Sequence, residues 1–199
     1  MSNESDLKKR IEDLEATVSA LRHQSDWFEL YNLCMESAYR ADANLARFPL
    51  YTEDGTQSFI FKEAFPEGPD WGPVSEADVT EVKVRERPAN WADKLVHAQA
   101  RGLSHFPSMP HIVVDGDRAR MMNYQMLSER DPVATAIEVP PHGVVRGFRV
   151  ITVIANLFDC VKAEGRWKIK ARTVRVMGGE ETRTLMAQWA ATAAPDEAR

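Results

Sequence analysis

The sequence has little cysteine and no long apolar run, and both absences restrict where the protein works. Its two cysteines, Cys34 and Cys160, each lie in an apolar stretch, which favours buried thiols over a disulfide. No stretch reaches the about 18 consecutive apolar residues typical of a membrane-spanning helix. The first residues also lack the charged-then-apolar pattern of a secretion signal. We therefore expect a cytoplasmic protein that does not enter a membrane.

An excess of basic charge is missing too. The formal net charge is -5, and the lysines and arginines are scattered among acidic residues. A nucleic-acid-binding protein needs a basic face that neutralises phosphates. The charge distribution therefore predicts that nucleic acid is not a partner.

The motifs of several cofactor and catalytic sites are absent. The sequence has no glycine-rich phosphate loop, no Gly-x-Ser-x-Gly turn and no Cys-x-x-Cys pair. His111 follows His105 by six residues, which is not a standard zinc-ligand spacing. We therefore expect neither a metal nor a cofactor.

The length and hydrophobicity indicate one domain with a substantial core. The chain has 199 residues, of which 44% are hydrophobic, and these values suit a single globular unit. We find no internal repeat. Residues 1–199 are interpreted as one domain, with an N-terminal helix at 1–24 and a C-terminal helix and tail at 178–199.

The first predicted helix covers residues 5–22 and carries one apolar seam. Its five members are spaced 4, 3, 4 and 3 residues apart: Leu7, Ile11, Leu14, Val18 and Leu21. This spacing is that of the a and d positions of a heptad repeat. Two interpretations stay open, packing on the chain's own domain or contact with another subunit, since about two heptads are too short to form a coiled coil alone.

A second helix is predicted from an N-cap at Ser25 to about Ala46. Its wide apolar face indicates burial on more than one side. Proline and glycine then interrupt residues 47–90. Within and after this part we expect strands at 56–61 and 79–85, a surface excursion at 66–73 and a short helix at 91–101.

The second half of the chain is rich in β-branched residues. Strands are predicted at 111–114, 119–127, 148–162 and 167–177, with a polar loop at 131–143. In the last strand apolar residues alternate with basic ones, so that one face is buried and Lys168, Lys170 and Arg172 lie on the wet face. Helices first and long hairpins last predict an α+β fold with a mainly antiparallel sheet.

Three stretches together resemble the SnoaL-like family of the NTF2-like superfamily. They are the helix from Glu29-Leu30-Tyr31 to Tyr39-Arg40-Ala41-Asp42, the segment from His105-Phe106 through Pro110-His111 to Asp115-Gly116-Asp117, and the hairpin Glu164-Gly165-Arg166-Trp167-Lys168-Ile169. The resemblance implies a cone, in which N-terminal helices pack on a curved sheet and enclose a pocket. It also implies one of two kinds of member, a cofactor-independent lyase or isomerase or a noncatalytic protein.

The resemblance implies that His105 acts as a base beside an aspartate on the first helix. An imidazole can take a proton near neutral pH. The alternative is a buried histidine that only satisfies a backbone carbonyl. An ungapped match puts Tyr39 at the aspartate's position. Either Tyr39 works with His105 through its hydroxyl, or the site has lost this chemistry, which would favour a binding protein. Asp42 is expected to solvate the helix end.

Asn156 is the third candidate catalytic residue, because it is a polar residue in an apolar strand and needs a partner. That partner is either a ligand oxygen or a neighbouring strand residue. The predicted pocket walls, for which ordinary core packing is the alternative, are Trp27, Tyr31, Met109, Tyr124 and Phe158.

The resulting hypothesis is a cofactor-independent lyase or isomerase. Its substrate would be a hydrophobic aromatic, polyketide or steroid-like molecule, as in aromatic compound catabolism, and the reaction would be loss of water or of formaldehyde. The alternatives are a noncatalytic small-molecule binding protein and a small scaffolding subunit of a ring-hydroxylating oxygenase. We expect a homo-oligomer, a dimer or trimer, because of the seam on the first helix.

Overall fold

The computed structural model describes residues 2–43, 45–59, 80–86, 102–131, 133–141, 143–145 and 147–193. Two α-helices, nine strands and two short 3-10 turns at Phe48–Leu50 and Val84–Glu86 occupy these ranges. The α-helices are α1 (Ser2–Asp42) and α2 (Glu180–Ala193). The strands are β1 (Tyr51–Phe59), β2 (Thr80–Lys83), β3 (Ser104–Pro107), β4 (His111–Asp115), β5 (Arg118–Arg130), β6 (Ile137–Val139), β7 (Gly143–Val145), β8 (Phe148–Ala163) and β9 (Arg166–Val176).

Helix α1 is one continuous helix of 41 residues, about 60 Å long at 1.5 Å per residue. The predicted restart at Ser25 is therefore wrong. Serine inside a helix costs less than about 0.7 kcal/mol, and the burial of the apolar residues that follow outweighs this cost. The first half of α1 is exposed on every face from Glu4 to Ser25. The seam therefore does not pack on its own domain, which excludes one of its two interpretations.

Seven strands form one mixed sheet in the order β2-β1-β9-β8-β5-β3, with β4 also paired to β5. Strand β1 runs parallel to β9, and the other pairs are antiparallel. The predicted α+β class with a mainly antiparallel sheet is confirmed. The short hairpin of β6 and β7 forms a separate sheet within and just after the segment predicted as a polar loop.

The sheet has an inner face toward α1 and an outer face toward α2. On the inner face, Leu30, Leu33 and Cys34 of α1 share a core with Met121 and Phe158, among others. On the outer face, Trp189 of α2 packs with Met122, Ala155 and Leu157. Both cysteines are free and buried, as predicted. The sheet thus separates two apolar layers, and the inner one contains the site described below.

Polar contacts fix where α1 crosses the sheet. The Lys162 ammonium and the Trp167 indole N–H both donate to Asp26 Oδ1, at 2.5 and 2.9 Å. The Trp167 backbone N–H donates to Glu29 Oε1 at 2.9 Å. These bonds tie the middle of α1 to the hairpin between β8 and β9, so the C-terminal end of α1 projects toward β3.

The predicted helix at 91–101 and the predicted excursion at 66–73 lie outside the described residues. Of the helices within the described ranges, none has the length and apolar character needed to cross a bilayer. Strand β1 begins at Tyr51, earlier than predicted. Strand β3 was not predicted, and it carries His105.

Candidate acid–base site on the inner face of the sheet

The C-terminal end of α1 meets strand β3 through Asp42 and His105. The Asp42 Oδ1 and His105 Nδ1 atoms lie 2.5 Å apart, and the His105 backbone N–H donates to Asp42 Oδ2 at 3.0 Å. The side chains are 30% and 11% exposed, respectively. One carboxylate therefore holds both the backbone and the ring of His105.

Asp42 is the last residue of α1, where the helix dipole disfavours a negative charge by about 0.3–1 kcal/mol. The two bonds from His105 compensate for this unfavourable position. The expectation that Asp42 only solvates the helix end is wrong, because its carboxylate binds a residue 63 positions further along the chain. The aspartate that the family resemblance calls for is present three residues beyond Tyr39.

The environment of His105 favours the neutral imidazole. Burial lowers the pKa of His105 below its ordinary value. The hydrogen bond and the charge of Asp42 oppose this effect, whereas the cations Arg47 and Arg172 add to it. With the Nδ1 proton directed at Asp42, the Nε2 atom carries the lone pair. A neutral, oriented imidazole of this kind can act as a general base.

Arg172 of β9 forms the centre of a buried polar network on the inner face. It is 5% exposed. Its Nε and Nη2 atoms donate to Asn156 Oδ1 at 3.1 and 2.6 Å, and Nη2 also donates to Gln125 Oε1 at 3.2 Å. Asn156 in turn donates to Asn123 Oδ1 at 3.1 Å. The guanidinium carbon lies 5.2 Å from the centre of the Phe158 ring.

The partners of Arg172 within the described residues are neutral amides and an aromatic ring, and none of these is a carboxylate. Its Nη1 atom is buried without a hydrogen-bond partner there, as are Ser37 Oγ and Tyr51 Oη. A buried cation without an anionic partner costs several kcal/mol in desolvation. Among the described residues, the network therefore holds a buried positive charge with one N–H group that has no hydrogen-bond partner.

The prediction that Arg172 lies on the wet face is wrong because of a bulge. Asp159 and Cys160 are neighbours on β8, yet they pair with Ala171 and Ile169 on β9. The extra residue, Lys170, shifts the alternation of β9 by one position. Trp167 and Ile169 before the bulge and Arg172 and Val174 after it are therefore all buried. A strict period of two cannot reveal such a shift.

The other two predicted catalytic residues differ in placement. Tyr39 is 59% exposed, and the structure brings Asp42 rather than Tyr39 to His105. Asn156 is fully buried, with both amide hydrogens and both lone pairs of Oδ1 used by Asn123, Gln125 and Arg172. Its partners are thus neighbouring residues, and it positions the guanidinium.

The predicted pocket walls divide between the two faces. Phe158 is on the inner face beside Arg172. Trp27 and Tyr31 stack on each other at 5.6 Å, about 22 and 16 Å of helix before Asp42. Tyr124 is on the outer face, where its hydroxyl lies 3.8 Å from Met186 Sδ, and Met109 is 73% exposed. Tyr124 and Met109 are therefore not brought to the inner site.

Cys34 lines the inner face but is not a nucleophile. Burial raises the pKa of the Cys34 thiol to about 11, so the thiol stays protonated near neutral pH. It accepts a hydrogen bond from Asn123 Nδ2 at 3.5 Å. Among the described residues there is no group of three or more His, Cys, Asp or Glu side chains arranged to hold a metal ion.

A separate cleft of about 580 Å³ opens on the outer face, with Arg120, Asp159, Lys170 and Trp189 among its lining residues. Arg120 already pairs with Asp159 at 3.3 Å and covers the Trp189 ring at 5.1 Å. The cleft lacks a buried acid–base pair within the described residues. The inner face is therefore the better candidate for chemistry.

Comparison with known proteins agrees with the observed fold. A family model described as a SnoaL-like domain matches residues 69–173. No curated protein matches the chain significantly. A solved NTF2-like protein with a cystatin-like fold from Novosphingobium aromaticivorans is similar, with a TM-score of 0.63 and 18% identity over 86% of this chain and 96% of that one.

Two further solved structures share the fold. A protein named as a dehydratase of the NTF2-like family from Streptomyces avermitilis has a TM-score of 0.50 and 10% identity over 78% of this chain and 99% of that one. A protein named as the beta subunit of an aromatic-ring-hydroxylating dioxygenase from Novosphingobium aromaticivorans has a TM-score of 0.50 and 14% identity over 77% and 90%. At these identities the likeness concerns the fold alone. The family match shows that the chain belongs to the SnoaL-like family, and the solved structures show that it has the NTF2-like fold.

Proposed function

We propose that this protein is a cofactor-independent lyase, or an isomerase, that acts on a hydrophobic aromatic, polyketide or steroid-like molecule. His105 is the general base, Asp42 orients it, and Arg172 stabilises negative charge that develops on a substrate oxygen. The observation that carries the proposal is the Asp42–His105 pair, 2.5 Å apart, within electrostatic reach of a buried arginine that lacks a described carboxylate partner.

The default reaction is loss of water. His105 Nε2 takes a proton from a carbon next to an activating group, and the electron pair of that C–H bond forms the new double bond. The neighbouring C–O bond breaks, and the departing hydroxyl gains a proton to become water. A positioned base of this kind contributes about 10²–10⁴-fold to a rate.

Loss of formaldehyde from a hydroxymethyl side chain needs the same groups. The base then removes the O–H proton, the electron pair of that bond forms the C=O bond of formaldehyde, and the C–C bond breaks. The electron pair of the C–C bond forms a double bond to the carbon of a neighbouring carbonyl group, whose oxygen becomes an enolate oxygen and is then protonated. In both reactions negative charge grows on an oxygen. The free Nη1 of Arg172 is suited to bind it, since a preorganised donor in a water-poor site is worth more than in water.

The walls around these groups support an apolar substrate. Phe158 lies against the guanidinium, and buried aliphatic residues of α1 and β5 continue the same inner layer. A pocket with apolar walls and few polar groups orients a ligand through those polar groups. A flat molecule with an oxygen substituent fits this combination.

The noncatalytic alternatives lose their main support. The absence of an aspartate beside His105 favoured a binding protein, and Asp42 supplies that carboxylate. A scaffolding role beside an oxygenase rests on likeness of fold, which does not determine function. Neither alternative explains why a buried arginine has no carboxylate partner among the described residues.

The experiment compares the wild-type protein with His105→Gln on a panel of hydroxylated aromatic and polycyclic compounds, with product mass as the readout. His111→Gln is the matched control, because His111 is an exposed residue whose ring contacts Trp189 on the outer face. We expect loss of water or formaldehyde, or isomerisation at unchanged mass, from wild type and control alone. Equal turnover by His105→Gln would remove His105 from the mechanism, and ligand binding without turnover by any form would favour a binding protein.

A further inference from the structure

The first half of α1 has an exposed apolar seam that does not contact its own domain. All residues from Glu4 to Ser25 are exposed. The seam residues themselves are 44–65% exposed: Leu7, Ile11, Leu14, Val18 and Leu21. Most of the stability of a helix in a protein comes from the packing of its apolar face, so a partner that covers the seam would stabilise this segment.

The seam has the residue types of a two-stranded parallel coiled coil. With Leu7 at position d of a heptad, Leu14 and Leu21 also occupy d, whereas Ile11 and Val18 occupy a. Leucine at d with a β-branched residue at a favours parallel dimers over trimers and tetramers. This choice of residues is more specific than apolar spacing alone.

We propose that the first half of α1 pairs in parallel with the same segment of a second copy of this chain and forms a two-stranded coiled coil. The seam of each chain is thus covered by the seam of the second copy. Each a or d residue faces the same residue of the partner chain. This interaction surface is independent of the acid–base site and goes beyond the proposed function.

Charges beside the seam favour the parallel direction. Arg10 is at position g and Glu15 at the following position e, and a parallel dimer places these opposite charges together across the interface, twice by symmetry. A fully overlapping antiparallel pair would instead place each Glu15 next to the partner's Glu15. It would also bring Lys8 next to the partner's Arg22. The parallel arrangement therefore has complementary charge.

The exposed stripe continues onto the globular part of the protein. Ser25 occupies the a position after Val18, Phe28 is the next d residue and is 61% exposed, and Asn32 at the following a position is exposed as well. Leu30, Leu33 and Cys34 face the sheet instead. The two helices can therefore stay adjacent beyond Ser25 without disturbing either core, and the pair extends past the two heptads that are too short alone.

The test measures the mass in solution of the full-length chain by light scattering, for the wild type, Leu14→Glu and Ala16→Glu. Ala16 is an exposed residue at position f, so its replacement adds the same charge away from the seam. We expect about twice the 22.5 kDa chain mass for the wild type and Ala16→Glu, and the single-chain mass for Leu14→Glu. Near-UV circular dichroism checks that the sheet domain of Leu14→Glu remains folded.

The relative direction of the two paired helices is tested with the variant Glu4→Cys, at the first a position of the heptad pattern. A parallel dimer cross-links through this cysteine under mild oxidation, whereas an antiparallel pair holds the two thiols at opposite ends. The native cysteines are buried and serve as the internal control. Arg10→Glu should weaken the dimer, and Arg10→Glu combined with Glu15→Arg should restore it.

Three results would overturn the proposal. The first is a wild-type chain that stays monomeric at high concentration, and the second is a Leu14→Glu variant that keeps the wild-type mass. The third is a mass about three times that of one chain, which would exclude a two-stranded assembly.

Discussion

The buried arginine of the inner face, Arg172, differs in its partners from two arginines of the outer face. On the outer face, Arg120 pairs with Asp159 at 3.3 Å and Arg175 with Glu181 at 3.4 Å. On the inner face, Arg172 contacts only neutral amides and the Phe158 ring among the described residues.

This difference indicates that Arg172 has a purpose other than stability. An exposed ion pair such as Arg120–Asp159 contributes only about 0–1 kcal/mol to folding stability, so the loss of one such pair would change the stability little. A buried charge costs several kcal/mol unless it is well paired. In the proposed function Arg172 binds an anionic oxygen of the ligand, so equivalent substitutions on the two faces should differ in their effects.

The largest effect is expected from Arg172→Met. Loss of the guanidinium removes a preorganised donor from the site, which reduces turnover by about 10²–10³-fold. The matched control is Arg120→Met, which removes one cation from the outer face and should leave kcat/KM nearly unchanged. Equal losses in both variants would show that the two faces do not differ in function.

Asp42→Asn is expected to reduce turnover by less than the about 10²–10⁴-fold contribution of the base itself. Asp42 raises the pKa of His105 against the effect of burial. Its loss should therefore lower the pKa of His105 further and move the acid limb of the kcat/KM profile to lower pH. Glu36→Gln, on the same helix, is the control, and NMR titration of the imidazole measures the shift directly. A shift to higher pH would contradict the proposed role of Asp42.

The Asn156→Asp substitution would give Arg172 a carboxylate partner of the kind that the outer-face arginines have. It places a carboxylate where Oδ1 lies 2.6 Å from Arg172 Nη2, so the cation gains an internal partner. We expect weaker binding of an aromatic anion such as benzoate, because that carboxylate competes for the guanidinium. Gln188→Glu adds the same charge on the exposed side of α2 and should not change the affinity. Unchanged benzoate binding by Asn156→Asp would place the anion elsewhere.

The smallest expected effect is on the pH dependence of the free energy of unfolding. An unfolded histidine has a pKa of about 6.5, and burial lowers the pKa of His105 in the folded chain. The unfolded state therefore binds more protons between these two values, so His105 reduces stability as the pH falls below about 6.5. Urea unfolding of the wild type and His105→Gln between pH 7 and 5 measures the difference. A wild type that gains stability relative to the variant on acidification would contradict a lowered pKa.

The fold was largely predictable because hydrophobic periodicity determines it. The long strands β5, β8 and β9 alternate over most of their lengths, and their pairing follows from the turns between them. The break predicted at Ser25 was wrong because a local capping preference is weaker than the burial of the residues that follow. Strand β3 is only four residues long, too short to show a period.

The site was less predictable because it depends on contacts between distant residues. His105 was identified from its residue type and the family resemblance. Its partner in the structure, Asp42, was not predicted, because a shift of three residues along α1 decides which side chain reaches β3. Arg172 was assigned to the wrong face because a bulge at Lys170 leaves no signal in the composition of the strand.

The proposed function requires that Arg172 and His105 face the same ligand on the inner side of the sheet. Benzoate, an aromatic anion, is titrated into the wild type, Arg172→Met and Arg120→Met while the imidazole NMR signals of His105 and His111 are recorded. We expect the His105 signals to shift in the wild type and in Arg120→Met, and we expect this shift to be lost in Arg172→Met. Benzoate shifts that are confined to His111, or that persist in Arg172→Met, would contradict it.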